Sequence, residues 1–302
     1  MRATPEELLE LVSRSPAAVA IHDKRAWLEL FSRAATVQDP VGTASHRRTA
    51  SHRRTASHRR TASDRRTGFD ESVALEDDPL GRFWETFIAS NRISFVSHQD
   101  IVIGEEVVRD VSIRSQLESG ITIEVPAYLI YRTTEENGEA RIEALMAHWE
   151  LRSMVRQVMA EGLAGLSTMV QLGWRMLQIQ GAAGVLGYAR GLFRGIFDRG
   201  GQAVRDFAAA LIARDVKTLA GLLVGEETLL EYPAGVGESL HEFLSGAGRD
   251  LRLDLSGLTS AGWWSSCVFQ AHRDHVTHRG VAFYEFNPKT RKIRSARFFW
   301  NV

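Results

Sequence analysis

The chain has one cysteine, Cys267, in 302 residues, and its 37 basic side chains balance its 37 acidic ones. A single cysteine excludes an internal disulfide and any cysteine-based zinc site. Zero net charge leaves no overall field for nucleic acid or acidic lipid, so we expect no specific nucleic-acid binding. No apolar run reaches the length of a membrane span, and the first residues include glutamates where a signal peptide needs a basic and then an apolar run. We therefore expect a cytoplasmic protein.

Helical and strand patterns follow one another in an order typical of an α+β protein. A capping box at Thr4 opens the first helix, and a second helix begins at Asp23. Strand patterns then run from Ile93 to Leu151, with a hairpin turn at Asn137. Helices first and antiparallel strands afterwards predict a sheet covered by helices on one side.

Two stretches of the first half have counterparts, in the same order, in the second half. The segment Arg33–Gly42 follows two helical patterns and corresponds to Glu227–Gly235. The segment Ala140–Leu151 corresponds to Arg291–Val302, and both end with a tryptophan two residues before the strand finishes. A length of 302 residues also suits two domains better than one. The pattern therefore predicts two copies of one fold.

We expect three segments along the chain. They are a first domain over 1–151, a helical linker over 152–199 and a degenerate second domain over 200–302. An arginine-rich insertion at 45–68 interrupts the first domain.

The stretch Ala35–Gly42 reads Ala-Thr-Val-Gln-Asp-Pro-Val-Gly. It resembles the strand that carries the catalytic aspartate of bacterial steroid Δ5-3-ketoisomerases, and the Met146–Trp149 strand fits the same frame. The chain is thus similar to the ketosteroid-isomerase-like (SnoaL-like, NTF2-like) superfamily from about Pro5 to Leu151. The resemblance implies two cone-shaped α+β domains, each with helices packed on a curved antiparallel sheet, joined by a helical linker.

The same resemblance assigns chemistry to Asp39. In that family the aspartate is a general base, which takes a proton next to a ketone and returns it two carbons away. No cofactor is implied. The family's tyrosine and protonated acid, which hold the substrate oxygen, fall near Ser15 and Ala127, where neither donor type is present. Tyr128 or Tyr131 could substitute if its side chain points inward.

These considerations predict a pocket for a small apolar ligand, with Asp39 as the catalytic residue. The expected pocket residues are Phe31, Val41, Phe83, Tyr128 and Trp149. One function is a steroid Δ-isomerase-like proton transfer on a small apolar carbonyl compound. The other is a non-catalytic ligand-binding or assembly module, which includes self-association. The second copy has Tyr232 in the place of Asp39, so we expect it to lack a base.

Residues 45–68 contain SHRRTA three times, followed by SDRRTG. Eight arginines against one aspartate cannot build a core, so we expect a solvated loop beside the Asp39 turn. The arginines could bind a phosphate-rich partner, or direct phosphorylation of nearby serines. We favour a repeat expansion tolerated in an exposed loop.

Two further patterns have alternative readings. His272, Asp274, His275 and His278 have the composition of a metal site, but they fall on a hairpin without an obvious fourth ligand, so we expect no metal. Three glycines, Gly187, Gly191 and Gly195, repeat every four residues on a basic helix within 152–199. They predict close approach of another helix or of a membrane surface, and we favour packing of this helix on its own domain over the membrane.

Overall fold

The computed structural model describes residues 3–48, 78–225, 228–273 and 276–301. Two α+β units follow each other in the chain, with a helical segment between them. The first unit contains α1 (Pro5–Ala20), α2 (Lys24–Glu29), β1 (Phe31–Gln38), β2 (His46–Arg47), α3 (Pro79–Phe87), β3 (Arg92–Ile103), β4 (Glu106–Gln116), β5 (Thr122–Glu136) and β6 (Glu139–His148). The helical segment contains α4 (Leu151–Ala160) and α5 (Leu163–Phe193).

The second unit repeats the order of the first. It contains α6 (Asp198–Ala213), α7 (Val216–Leu222), β7 (Leu229–Glu231), β8 (Gly237–Glu238), α8 (Leu240–Ser245), β9 (Arg252–Ala261), β10 (Trp264–Arg273), β11 (Val276–Phe286) and β12 (Ile293–Phe299). The predicted α+β class, with two cones of helices and sheet, is confirmed. The bounds 1–151, 152–199 and 200–302 remain a prediction.

Each unit has a six-stranded sheet, and the two sheets have the same topology. The first has the order β2-β1-β6-β5-β4-β3 and the second β8-β7-β12-β11-β10-β9. Strand β1 pairs with β6 in parallel, as β7 does with β12, while the other neighbours are antiparallel. The sheets are therefore mixed rather than wholly antiparallel, because the first strand of each unit lies along its last.

Local chemistry explains where the first elements begin. The Thr4 side chain accepts a hydrogen bond from the Glu7 amide, and the Glu7 carboxylate accepts one from the Thr4 amide, which completes the predicted capping box. Asp23 caps α2 by accepting from the Ala26 amide at 2.9 Å. Asn137 and Gly138 both have positive φ, as a two-residue hairpin turn between β5 and β6 requires.

The two sheets pack against each other through the faces that their own helices leave uncovered. Ile101, Val108 and Ile130 of the first sheet join Val281 and Phe283 of the second in one buried cluster. Arg297 adds a polar link, since its guanidinium donates to Glu106 of the first unit at 2.6 Å and to Glu231 of its own unit at 2.9 Å. Strand alternation leaves the opposite face of each sheet to pack on that unit's helices.

The helical segment packs on the first unit. Met154 and Val158 of α4 are buried against Ile123 and Val125 of β5, and Met169 of α5 joins the same cluster. Helix α5 carries a kink at Gly181, where φ is 69°. The apolar residues of this segment therefore divide: Met154 and Val158 of α4 are buried, whereas Val170 and Trp174 of α5 face outward.

Gly187, Gly191 and Gly195 do allow a close approach, and their neighbours belong to the protein itself, in a loop and a turn rather than in another helix. A Cβ on Gly187 or Gly191 would lie 2.7 Å from Ala44 or 2.6 Å from Thr43, in the loop after β1. A Cβ on Gly195 would lie 2.5 Å from the Gly262 carbonyl oxygen, in the β9–β10 turn. Neither another helix nor a membrane is needed to explain these glycines.

The arginine-rich insertion lies within the described residues only at its start. Instead of a solvated loop, residues 46–47 form β2 on β1, and the His46 ring packs 5.1 Å from that of Phe83. Arg48 donates to the Asp78 carboxylate at 2.6 Å and to the Phe31 carbonyl at 3.0 Å. Residues 49–68 lie outside the described part of the chain.

Candidate functional site

A largely apolar cavity of about 180 Å³ lies between the first sheet, α1–α3 and α5. Its wall includes Val19 of α1, Leu129 of β5 and Leu145 of β6. Asp39, Tyr131 and Tyr188 are also in the wall. Arg175, which forms an ion pair with Glu118, lines the cavity beside the β4–β5 turn. The wall therefore combines an apolar surface with a few polar groups, as small-molecule sites do.

Asp39 follows the last residue of β1, where the chain turns. The Val41 amide donates to the Ala147 carbonyl at 2.8 Å, which fixes this turn against β6. One carboxylate oxygen of Asp39, Oδ1, accepts a hydrogen bond from Trp149 Nε1 at 2.5 Å. Burial raises the pKa of Asp39 from 3.8 to about 6, although the Trp149 hydrogen bond lowers it by favouring the charged form. The site thus holds a carboxylate that titrates close to neutral pH.

Two tyrosines of the wall lie near this carboxylate. Burial raises the pKa of Tyr131, and the Asp39 charge raises it further, while Arg109 and a hydrogen bond with Ser15 lower it. Burial also raises the pKa of Tyr188, and Asp39 adds to that effect. Both hydroxyls are therefore protonated at neutral pH and can donate a hydrogen bond to a ligand oxygen.

Ser15, at the position where the resemblance expected a tyrosine, supports this wall. Its hydroxyl accepts a hydrogen bond from Trp27 Nε1 at 3.1 Å, and Ser15 lowers the pKa of Tyr131. The tyrosine hydroxyl near Ser15 therefore comes from β5 instead of α1.

Three of the six residues predicted for the site line the cavity, and three do not. Asp39, Phe83 and Trp149 are in the wall. Phe31 packs behind Trp27, which is in the cavity wall, and their ring centroids are 4.5 Å apart. Val41 is buried beyond the turn that follows Asp39. The expectation that Phe31 and Val41 line the pocket is wrong for these reasons.

Tyr128 is also absent from the cavity wall, although we expected it there from the sequence. Its hydroxyl donates to the Gly257 carbonyl at 2.6 Å, in the second unit, and its ring packs against Phe283. Tyr128 and Tyr131 are three residues apart on one strand, so their side chains point to opposite faces of the sheet. His148, next to Trp149, likewise faces the second unit, where it packs on Phe283 and Trp264.

The predicted linker supplies cavity residues that the sequence patterns did not assign to the site. Met169, Leu172, Arg175 and Tyr188 of α5 are all in the wall. One sequence pattern does indicate these cavity residues. Met169, Leu172 and Met176 recur at helical spacing on the side of α5 away from its exposed apolar residues, so the helix is apolar on two sides.

The second unit has aromatic rings where the first has the Asp39 cavity. Tyr232 occupies the place of Asp39, and Trp300 that of Trp149, with their ring centroids 4.4 Å apart. Phe243 and Phe298 pack against the Tyr232 ring, and all of these side chains are buried. The corresponding carboxylate is therefore replaced by a packed cluster of rings.

Among the described residues, no group of three histidine, cysteine, aspartate or glutamate side chains could hold a metal ion. His272 bonds to Thr277 and Asp254, and His278 packs on Trp300. Asp274 and His275 of the predicted cluster lie outside the described residues.

No protein-family model matches the chain, and no curated protein matches it. Solved structures of the predicted superfamily are similar to it in fold. A Mycobacterium tuberculosis protein in complex with estradiol-17β-hemisuccinate is 19% identical, with a TM-score of 0.36, and the match covers 49% of this chain and 96% of that one. The Δ5-3-ketosteroid isomerase from Mycobacterium sp. is 17% identical, with a TM-score of 0.34, over 49% and 95%. An M. tuberculosis LEH-like epoxide hydrolase is 12% identical, with a TM-score of 0.35, over 55% and 96%.

Proposed function

We propose that the first unit binds a small apolar carbonyl compound and that Asp39 transfers a proton on it. The carboxylate takes the proton from the carbon next to the carbonyl group and returns it two carbons away, so that a double bond shifts into conjugation. The observation that carries the proposal is a half-buried carboxylate in the wall of an apolar cavity, whose pKa is raised to about 6 by desolvation.

The pKa of Asp39 suits a general base at neutral pH. With a pKa of about 6 the carboxyl group is roughly nine-tenths ionised at pH 7, while it is a stronger base than an aspartate in water. Trp149 holds Oδ1, whereas Oδ2 has no hydrogen-bond partner among the described residues and faces the substrate in this scheme.

The enolate oxygen formed by proton removal needs a hydrogen-bond donor. Tyr131 is the candidate, since it is in the same wall as Asp39 and the Asp39 charge raises its pKa. Tyr188 is a second donor on the α5 side of the cavity. Loss of one such donor in other enzymes costs about 2.7–4 kcal/mol of transition-state stabilisation, or roughly a hundredfold or more in rate.

A Δ5-3-ketosteroid is the probe substrate, because its isomerisation to the conjugated ketone is followed by ultraviolet absorbance. We expect turnover by the wild-type protein and a fall of about 10²–10⁴-fold in Asp39→Asn. Tyr131→Phe should lose about a hundredfold in kcat with a smaller change in KM. Tyr128→Phe is the matched control, since its hydroxyl faces the second unit, and its rate should stay at the wild-type value. Equal turnover by wild type and Asp39→Asn would refute the catalytic role of Asp39.

A second candidate function is ligand binding without turnover. The observation that favours it is that Ser15 and Ala127 stand at the two positions where the resembled enzymes hold the substrate oxygen. In that case the wild-type protein binds the steroid without converting it, and Asp39→Asn binds it as tightly.

A further inference from the structure

The outer side of α5 is an exposed apolar stripe, which we define as Leu163, Leu166, Val170, Trp174 and Leu177. Their exposed fractions are 86%, 50%, 64%, 61% and 42% in the order given. Spacings of three and four residues place all five on one face of the helix, over a length of about 21 Å. Single exposed apolar side chains are ordinary, but a continuous row of five that includes a tryptophan indicates a contact surface.

The helix that carries this stripe has no acidic side chain, although Glu161 precedes the helix and its Arg175 is paired with Glu118. From Gly162 to Phe197 there is no aspartate or glutamate, and the charged residues are Arg175, Arg190 and Arg194. The whole chain, by contrast, has 37 acidic side chains balanced by 37 basic ones. An apolar surface on a segment without acidic side chains favours a partner that is both apolar and negatively charged.

The opposite side of the same helix lines the cavity. Leu172 lies about half a turn away from the stripe and Met169 roughly a quarter of a turn away, and both are in the cavity wall. The regular helix that carries the stripe begins after Gly162 and is interrupted at Gly181. Both glycines have positive φ, at 62° and 69°. A partner on the stripe is therefore separated from the cavity by one helix.

We propose that this stripe docks the protein on the surface of an anionic lipid bilayer. The stripe lies in the boundary between head groups and acyl chains, and Trp174 takes the interfacial position favoured by tryptophan. Arg190 and Arg194, further along the same segment, contact the lipid phosphates. Docking places the α5 wall of the cavity against the membrane, where apolar small molecules dissolve.

A second copy of the chain is a poorer occupant. A stable protein interface uses about 20–30 residues on each side, whereas the stripe is one helix wide and contains five. Among the described residues, no helix is long and apolar enough to cross a membrane, so the contact proposed here is with its surface.

Co-sedimentation of the full chain with lipid vesicles tests the proposal. Vesicles of phosphatidylcholine alone are compared with vesicles that also contain phosphatidylglycerol. The stripe variant combines Leu166→Gln, Val170→Gln and Trp174→Gln. The matched control places glutamine at three exposed apolar residues elsewhere, Ile21, Ile212 and Val276. Because all six side chains are exposed, both variants should fold, which circular dichroism checks.

We expect wild type to bind the anionic vesicles roughly tenfold more tightly than the neutral ones. The stripe variant should lose at least about tenfold in affinity for the anionic vesicles, and the control variant should keep wild-type affinity. Arg190→Gln with Arg194→Gln should reduce the preference for anionic lipid.

Three results would overturn the proposal: no vesicle binding by wild type, equal loss in the control variant, or wild-type affinity in the stripe variant. Dimerisation that the stripe variant abolishes, without any vesicle binding, would assign the stripe to a second copy instead. None of these measurements depends on a substrate or on turnover at Asp39.

Discussion

Replacing Asp39 by asparagine should make the protein more stable at neutral and alkaline pH. Burial raises the pKa of Asp39 from 3.8 to about 6, so the folded protein favours the protonated carboxyl group. A carboxyl group whose pKa is higher in the folded than in the unfolded protein stabilises the fold fully below its pKa in the unfolded chain. This contribution is lost as the pH rises through its pKa in the folded protein. Asparagine has no charge to bury, and its oxygen can still accept the Trp149 hydrogen bond.

The size of the effect follows from the shift. A pKa shift of about two units predicts that Asp39→Asn gains about 3 kcal/mol in free energy of unfolding over wild type at pH 8. About half of this gain is expected at pH 5. Asp39 keeps some contact with the cavity, so about 2–3 kcal/mol is the range to expect at pH 8. The gain should approach zero below about pH 4, where both states are protonated.

Urea unfolding of wild type and Asp39→Asn between pH 5 and pH 8, followed by circular dichroism, measures the difference. Asp198→Asn is the control, because Asp198 is exposed and is not desolvated by folding. A destabilised Asp39→Asn protein, or a gain that does not change with pH, would refute the reasoning that the cavity withdraws Asp39 from water.

Four further variants test the same region and its surroundings. Trp149→Phe removes the hydrogen bond to Asp39 and should move the titration midpoint of that carboxyl group upward by about one to two pH units, as measured by carboxyl NMR. Gly42→Ala should destabilise the protein by about 2 kcal/mol or more in urea unfolding, because φ is +93° and a Cβ would lie 2.4 Å from the backbone of the β9–β10 turn. Gly173→Ala, in open space on α5, should instead stabilise it by about 0.5–1 kcal/mol. Tyr128→Phe should cost about 1 kcal/mol in the same assay and leave steroid binding, measured by calorimetry, unchanged.

Elements with strong local signals were predictable. The capping box at Thr4, the Asp23 start of α2 and the Asn137 turn depend on neighbouring residues, and they appear where expected. The tandem organisation was also predictable, because each copy repeats the same order of helices and strands. Asp39 was found through a motif of eight residues rather than through its surroundings.

The faces of the sheet were harder to predict. Assigning Tyr131 to the cavity and Tyr128 to the other unit requires the register of β5, which is paired on both sides and shifts against β6 after Arg132. A register shift of one residue exchanges the two faces of the strand. Sequence patterns do not place strand boundaries to within one residue. Both tyrosines are buried, so hydrophobicity does not distinguish them.

The role of α5 was missed for a different reason. A helix that is apolar on two sides gives no single amphipathic direction, so its pattern indicates a linker as readily as a cavity wall. Which side faces the first unit is decided by long-range packing, such as the stacking of Tyr188 on Phe87 at 5.3 Å. The glycine contacts with Thr43, Ala44 and Gly262 likewise join segments far apart in the sequence.

Burial desolvates the Asp39 carboxylate in the cavity wall, and we propose that this cavity accepts an apolar ketone. Carbon-13 NMR of the aspartate carboxyl groups measures this directly, with the Asp39 resonance assigned by its absence in Asp39→Asn. The account predicts a titration midpoint of about 6 in the free protein. A saturating Δ5-3-ketosteroid should raise that midpoint further by displacing solvent from the carboxylate. A midpoint near the ordinary value of 3.8, unchanged by the steroid, would contradict the account.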